Sequence, residues 1–174
     1  MADAGSLHVF CDVNVFIDAA ISWNASNQGL PVIVRTPGAQ LKGGPSAVLL
    51  LVIAYEIPIN QSTIILHTSD EVLATVAGKL QDEYDWLSGP TDEFLNWIYD
   101  LVETSGGMVV ERGSTIPNHQ QDDREDNRVL GEALDTPARL LITNDRSFVE
   151  AGSFRGVALI TPRDFLKRAG LRPA

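Results

Sequence analysis

Several aspartates sit where their carboxylates can converge. Asp12 directly follows the apolar run Leu7-His8-Val9-Phe10-Cys11, and Asp145 follows the run Arg139 to Thr143 with Asn144 between. Asp122, Asp123 and Asp126 stand shortly before that second run. Asp123 and Asp126 are three positions apart, so in a helix both fall on one face of the first turn. Carboxylates packed together repel unless a cation neutralises them. A donor set of oxygens alone selects Mg²⁺ or Mn²⁺ over Zn²⁺. Such a cation lowers the pKa of a bound water and stabilises charge on a phosphoryl oxygen, which is the chemistry of phosphodiester hydrolysis. A single aspartate after a strand is by default a cap or turn residue. Three acids at equivalent places in the topology favour a shared site.

Other polar residues carry weaker signals. His67 ends an apolar run, and a histidine there is more often structural than a ligand; His8 and His119 carry less. Cys11 reads as a small buried apolar residue, because no neighbour marks it as activated. Trp86 and Trp97 read as packing anchors, and Trp23, in a polar stretch, is the candidate for stacking on a base. Arg146, next to Asp145, is placed either to meet a phosphate or to pair with a surface acid. No G-x-x-x-x-G-K-[ST] and no G-x-G-x-x-G occurs, so nucleotide binding has no motif behind it. A phosphotransferase of the paired-aspartate kind would need a second acid at position 14, where Asn14 stands.

The elements that must position these acids alternate. Leu7–Cys11, Thr63–His67, Met108–Val110, Arg139–Thr143 and Val157–Ile160 read as five strands. Between them, helices are expected over Asn14–Ile21, Ser46–Glu56, from a cap at Thr68 or Ser69 to about Leu80, and over Asp92–Thr104 with Thr91 as its cap after a break at Gly89-Pro90. A further helix begins at Asp122 or Asp123 with Val129, Leu130, Ala133 and Leu134 on one face. Thr161-Pro162 opens a last short helix that turns Phe165 and Leu166 inward. Residues 22–45 are rich in Asn, Ser, Gly and Pro and read as a polar loop excursion, and Ser114–Gln121 as a polar loop. Strand–helix alternation predicts a parallel sheet covered on both faces, with ligands outside the carboxyl ends of the strands. The acids stand at those ends.

Length and charge bound the rest. The 174 residues suit a single domain with its own core, spanning 1–174. One cysteine excludes an intrachain disulfide, no signal-peptide pattern opens the chain, and the longest apolar run is too short for a membrane span. A cytoplasmic protein with no membrane partner is the expectation. The net charge of −10 argues against a general, sequence-blind nucleic-acid binder. The charge is uneven: residues 67–135 hold 16 acids and 4 bases, whereas residues 136–174 hold 3 and 7.

Four segments together resemble the PIN-domain family. Phe10-Cys11-Asp12-Val13-Asn14-Val15-Phe16 is similar to its opening D-x-N, and Asp123-Arg124-Glu125-Asp126-Asn127-Arg128-Val129-Leu130 to its D-x-x-D segment. Leu141-Ile142-Thr143-Asn144-Asp145-Arg146-Ser147-Phe148 resembles the T-x-D-x-x-F turn, and Leu159-Ile160-Thr161-Pro162-Arg163-Asp164-Phe165-Leu166 the closing strand and helix of toxin-like members. Each motif alone is weak; their order and spacing, over nearly the whole chain, are more specific. The resemblance implies a three-layer α/β/α fold with a parallel sheet of about five strands. It implies a metal-dependent endoribonuclease of the VapC toxin type using Mg²⁺ or Mn²⁺, with RNA as substrate and a cognate antitoxin and a homodimer as partners. Asp12, Asp126 and Asp145 would be the metal ligands, with Asp123 an additional or outer ligand and Asn14 and Thr143 in support.

Three positions depart from the family pattern. The glutamate usual on the helix after the second strand falls on Thr75, with Glu71 one turn away as a substitute; Val13 replaces a small hydroxyl; and Ser147 replaces a second acid. Loss of one carboxylate weakens metal binding, so the alternative is a catalytically degenerate domain that binds a protein or RNA.

Overall fold

In the computed structural model, which describes residues 5–23, 41, 43–111 and 124–171, the first strand β1 spans Ser6–Cys11. Its last three residues, Val9, Phe10 and Cys11, are all fully buried. Successive strand side chains point to opposite faces, so both faces of the sheet are covered here, as in a three-layer α/β/α architecture. The chain continues through α1 (Val13–Ser22), α2 (Pro45–Ala54), β2 (Thr63–Ser69), α3 (Asp70–Tyr84), α4 (Ser88–Ser105) and β3 (Val109–Val110). It resumes with α5 (Arg124–Leu134), β4 (Leu140–Ile142), α6 (Arg146–Glu150), β5 (Ser153–Phe154), β6 (Val157–Ile160) and α7 (Pro162–Arg168). The expected α/β class is observed, with a sixth strand added.

The strand order is β3-β2-β1-β4-β6-β5, parallel except for the β5–β6 pair. The chain therefore winds outward from β1 to β3, then returns to the other side of β1. The gap between the carboxyl ends of β1 and β4 is the topological switch point, where open α/β sheets place ligands.

The helices are set by their apolar patterns. α2 is apolar all round, and every residue from Ser46 to Ile53 is buried, as such a helix must be. α7 turns Phe165 and Leu166 inward, as expected, and Thr161 caps it by accepting the Asp164 N–H at 3.1 Å. Ser69 caps α3 through the Val72 N–H at 3.0 Å.

Three expectations change. α4 begins at Ser88 with Leu87 as cap, so Gly89-Pro90 opens the helix and Thr91 lies inside it, its hydroxyl donating to the Leu87 carbonyl at 2.8 Å. First-turn N–H groups have no partner in the helix, so proline fits there. α3 runs past Leu80 to Tyr84 and ends on Asp85 in the left-handed region at φ 56°. β5 carries too few residues to show a period; the positive φ of Arg155 and Gly156 folds it back on β6. Trp23 is partly buried at the core margin and packs edge-on against Trp97, centroids 5.3 Å apart.

The excursion closes on itself where it is described: the Gly44 N–H donates to Ser22 Oγ at 2.8 Å. Most of that stretch, the polar loop with His119, and the helix start at Asp122 and Asp123 lie outside the described residues. Among the described residues, no helix is long and apolar enough to cross a membrane.

Candidate functional site

Parallel register brings the first residues beyond β1 and β4 side by side. Cys11 pairs with Ile142, and Ile142 with Ile160. The ladder then continues for one bond each way: the Asp12 N–H donates to the Ile142 carbonyl at 3.0 Å, and the Thr143 N–H to the Ile160 carbonyl at 3.0 Å. Asp12 and Thr143 are thus fixed by backbone before any side chain acts.

Thr143, fully buried, is the hub. Its hydroxyl donates to Asp12 Oδ2 at 2.8 Å and accepts from the Asp145 N–H at 3.1 Å and from Asn14 Nδ2 at 3.3 Å. One donor and two acceptor sites are all a hydroxyl has, so Thr143 is fully used. Asp12 Oδ1 accepts the Val13 N–H at 2.7 Å, capping α1. Asn14 supports Asp12 indirectly, through Thr143, and its Oδ1 accepts the Asn144 N–H at 2.9 Å. Asn144 Nδ2 in turn donates to Asp18 and, at 2.9 Å, to Ser46 Oγ. Asp145 Oδ1 takes the Ser147 N–H, the Ser147 hydroxyl and the Phe148 N–H at 2.9, 2.6 and 3.2 Å, which caps α6. Oδ2 takes none of these bonds.

The two aspartates titrate apart. Burial pushes the Asp12 carboxyl up to about 6, against the lowering effect of its Thr143 and Val13 hydrogen bonds; the negative charges of Glu125 and Asp145 push the same way as burial. The Ser147 hydroxyl, with the two backbone N–H groups, holds Asp145 below its ordinary value. Carboxyls whose environments separate them in this way mark a candidate site. Burial raises the Cys11 thiol, which stays protonated and inert. His67 is structural, as expected: its Nδ1 accepts the Met108 N–H at 3.1 Å and its Nε2 faces His8 Nδ1 at 2.8 Å. Burial, then the neighbouring His8, lowers its pKa to about 4, so it is neutral at pH 7.

Asp126 lies half-buried in the first turn of α5. The charge of its neighbour Glu125 bears on Asp12, and Glu125 also pairs with Lys79 of α3 at 3.6 Å. Glu71 of α3 accepts from Arg128 Nη1 at 3.2 Å, so the proposed substitute for the missing glutamate is occupied by an arginine. Glu71, Thr75 and Lys79 are four apart and share one helical face, whose ends both meet α5; Thr75 sits between them, its hydroxyl donating to the Glu71 carbonyl at 2.8 Å. Among the described residues, no group of three His, Cys, Asp or Glu side chains is close enough to hold a metal ion. The structure therefore joins Asp12, Asp145, Asn14 and Thr143 in one network, while Asp123 falls outside the described residues.

Four residues escaped the sequence reading. Glu125 was hidden by the motif that singled out Asp126. Asp18 and Ser46 join the network through Asn144; the visible signal for Asp18 was its place one turn after Asn14. Glu132, buried on α5, accepts from Ser69 Oγ at 2.6 Å and sits among the apolar positions of that helix, where a lone acid is itself a signal. No protein-family model matches the chain, and no curated protein matches it.

Proposed function

We propose that the chain is a metal-dependent endoribonuclease of the PIN type, hydrolysing RNA phosphodiester bonds at the β1–β4 switch point. The observation that carries this reading is the buried Asp12 carboxyl, hydrogen-bonded through Thr143 and opposed by the charges of Asp145 and Glu125. A carboxylate pushed up by burial and by other acids is stabilised by a cation. The donors are all oxygens, which fits Mg²⁺ or Mn²⁺. Asp12 and Asp145 would hold the ion, and a further oxygen would come from the acidic first turn of α5, which carries Glu125 and Asp126. When bound, the ion supplies an acidified water and charge stabilisation at the phosphoryl oxygen.

The chain's own residues contribute positioning. Thr143 fixes the Asp12 carboxylate and the backbone of Asp145 in one hydroxyl-centred array. Asn14 and Asn144 lock the two strand ends together, so the acids need no reorganisation on binding. Substitution tests the reading: Asp12→Asn, Asp126→Asn and Asp145→Asn should each abolish cleavage while circular dichroism stays that of the folded protein. Wild-type cleavage by all three would remove the site assignment.

A second reading, a PIN-like domain that binds a protein or RNA without cutting, is favoured by Thr75 and by the absence of a three-acid group among the described residues. The VapC-type toxin role, its antitoxin and a homodimer rest on the sequence resemblance alone, and a cytoplasmic location on the composition of the sequence.

A further inference from the structure

Next to the acid network lies an open groove of about 590 Å³, within the roughly 300–1,000 Å³ typical of ligand sites. Asn144, Arg146, Thr161 and Arg163 line it. Asn144 ties the groove to the network, because its N–H is bonded to Asn14 and its chain neighbours Thr143 and Asp145 belong to the acid array. Arg146 and Arg163 are exposed, and among the described residues neither makes an ion pair or hydrogen bond. Lys79 and Arg128, by contrast, are paired with Glu125 and Glu71. The Thr161 hydroxyl accepts the Asp164 N–H and still has its own proton to donate.

We propose that this groove holds the backbone of the RNA strand beside the bond to be cut, with Arg146 and Arg163 as the phosphate ligands and the Thr161 hydroxyl as a further donor. The proposal rests on the ribonuclease reading for which strand is held. It accounts for how a chain of net charge −10 engages a polyanion at all. Two guanidinium forks match phosphate oxygens in charge and geometry. Glu150 and Asp164 also line the groove, so its formal charge balances. The groove is therefore not a general polyanion trap; affinity depends on the two arginines reaching phosphate, and the acids oppose it.

The test is anisotropy of a fluorescent single-stranded RNA oligonucleotide with the full chain in EDTA, between 50 and 200 mM salt, alongside cleavage of the same RNA in Mg²⁺. The double variant Arg146→Gln/Arg163→Gln should bind about tenfold or more weakly, with the slope of log K against log salt shallower by about 0.7 per arginine. Glu150→Gln should bind more tightly than wild type. In cleavage, the double variant should raise KM and leave kcat in place. Unchanged affinity and salt slope in the double variant would overturn the groove assignment, even if the RNA is cleaved. So would a wild type that binds no RNA. RNA binding that depends on the arginines without any cleavage would support the groove and sink the nuclease reading instead.

Discussion

Asp12 and Asp145 are joined through one hydroxyl, that of Thr143, and respond oppositely to their surroundings. The sign of the consequence for stability follows. The folded Asp12 carboxyl titrates near 6, above its ordinary 3.8, so the metal-free fold gains from the bound proton below pH 4 and loses that gain as pH rises through 6. Asp12→Asn removes the titration. In EDTA it should raise Tm relative to wild type at pH 8, by up to about 3 kcal/mol of stability, and give little gain at pH 4. Equal shifts at both pH values would show that Asp12 is not held as described. The same titration predicts that wild-type activity in low metal falls as pH drops through 6.

α3 and α5 decide what the site lacks. The face of α3 carrying Glu71, Thr75 and Lys79 already reaches α5 at both ends, so Thr75→Glu would present a new carboxylate towards the acidic first turn of α5. A gain in metal-dependent cleavage from Thr75→Glu would mean that the chain has drifted from a stronger nuclease; no change would mean that the present acids suffice or that the site does not cut. Elsewhere, Gly107 packs its Cα against β2, and a Cβ there would stand 1.7 Å from the Leu66 carbonyl oxygen. Gly107→Ala should destabilise the domain by about 1–3 kcal/mol or more, read as a lower urea midpoint. The strands and most helices were legible because their apolar periods are local. β5 and α6 are too short to have a period, and the start of α4 was misread because Gly89-Pro90 breaks helices everywhere except in a first turn. Asp12 and Asp145 were legible because each follows a strand end, and Asn14 and Thr143 through the motifs that carry the PIN resemblance. Glu125, Asp18 and Ser46 were not, because what recruits them is the meeting of helices distant in sequence.

The chain carries a net charge of −10, and its fold places the Asp12 and Asp145 carboxylates at a switch point that parallel topology holds open. An ion that binds only the folded acids stabilises the molecule by mass action, about 1.4–2.7 kcal/mol at a tenfold to hundredfold excess over its Kd. Mg²⁺ or Mn²⁺ should therefore raise the wild-type Tm by several degrees and leave that of Asp12→Asn nearly unmoved. Identical shifts in both proteins would locate the ion elsewhere. The decisive measurement is cleavage of a mixed RNA pool by the purified protein in Mg²⁺ or Mn²⁺, with EDTA and Asp126→Asn as controls. Cleavage that needs the metal and is lost in both controls is the predicted result. A folded protein that leaves the pool intact in both metals, or cleaves it equally in EDTA, would contradict the metal-dependent nuclease.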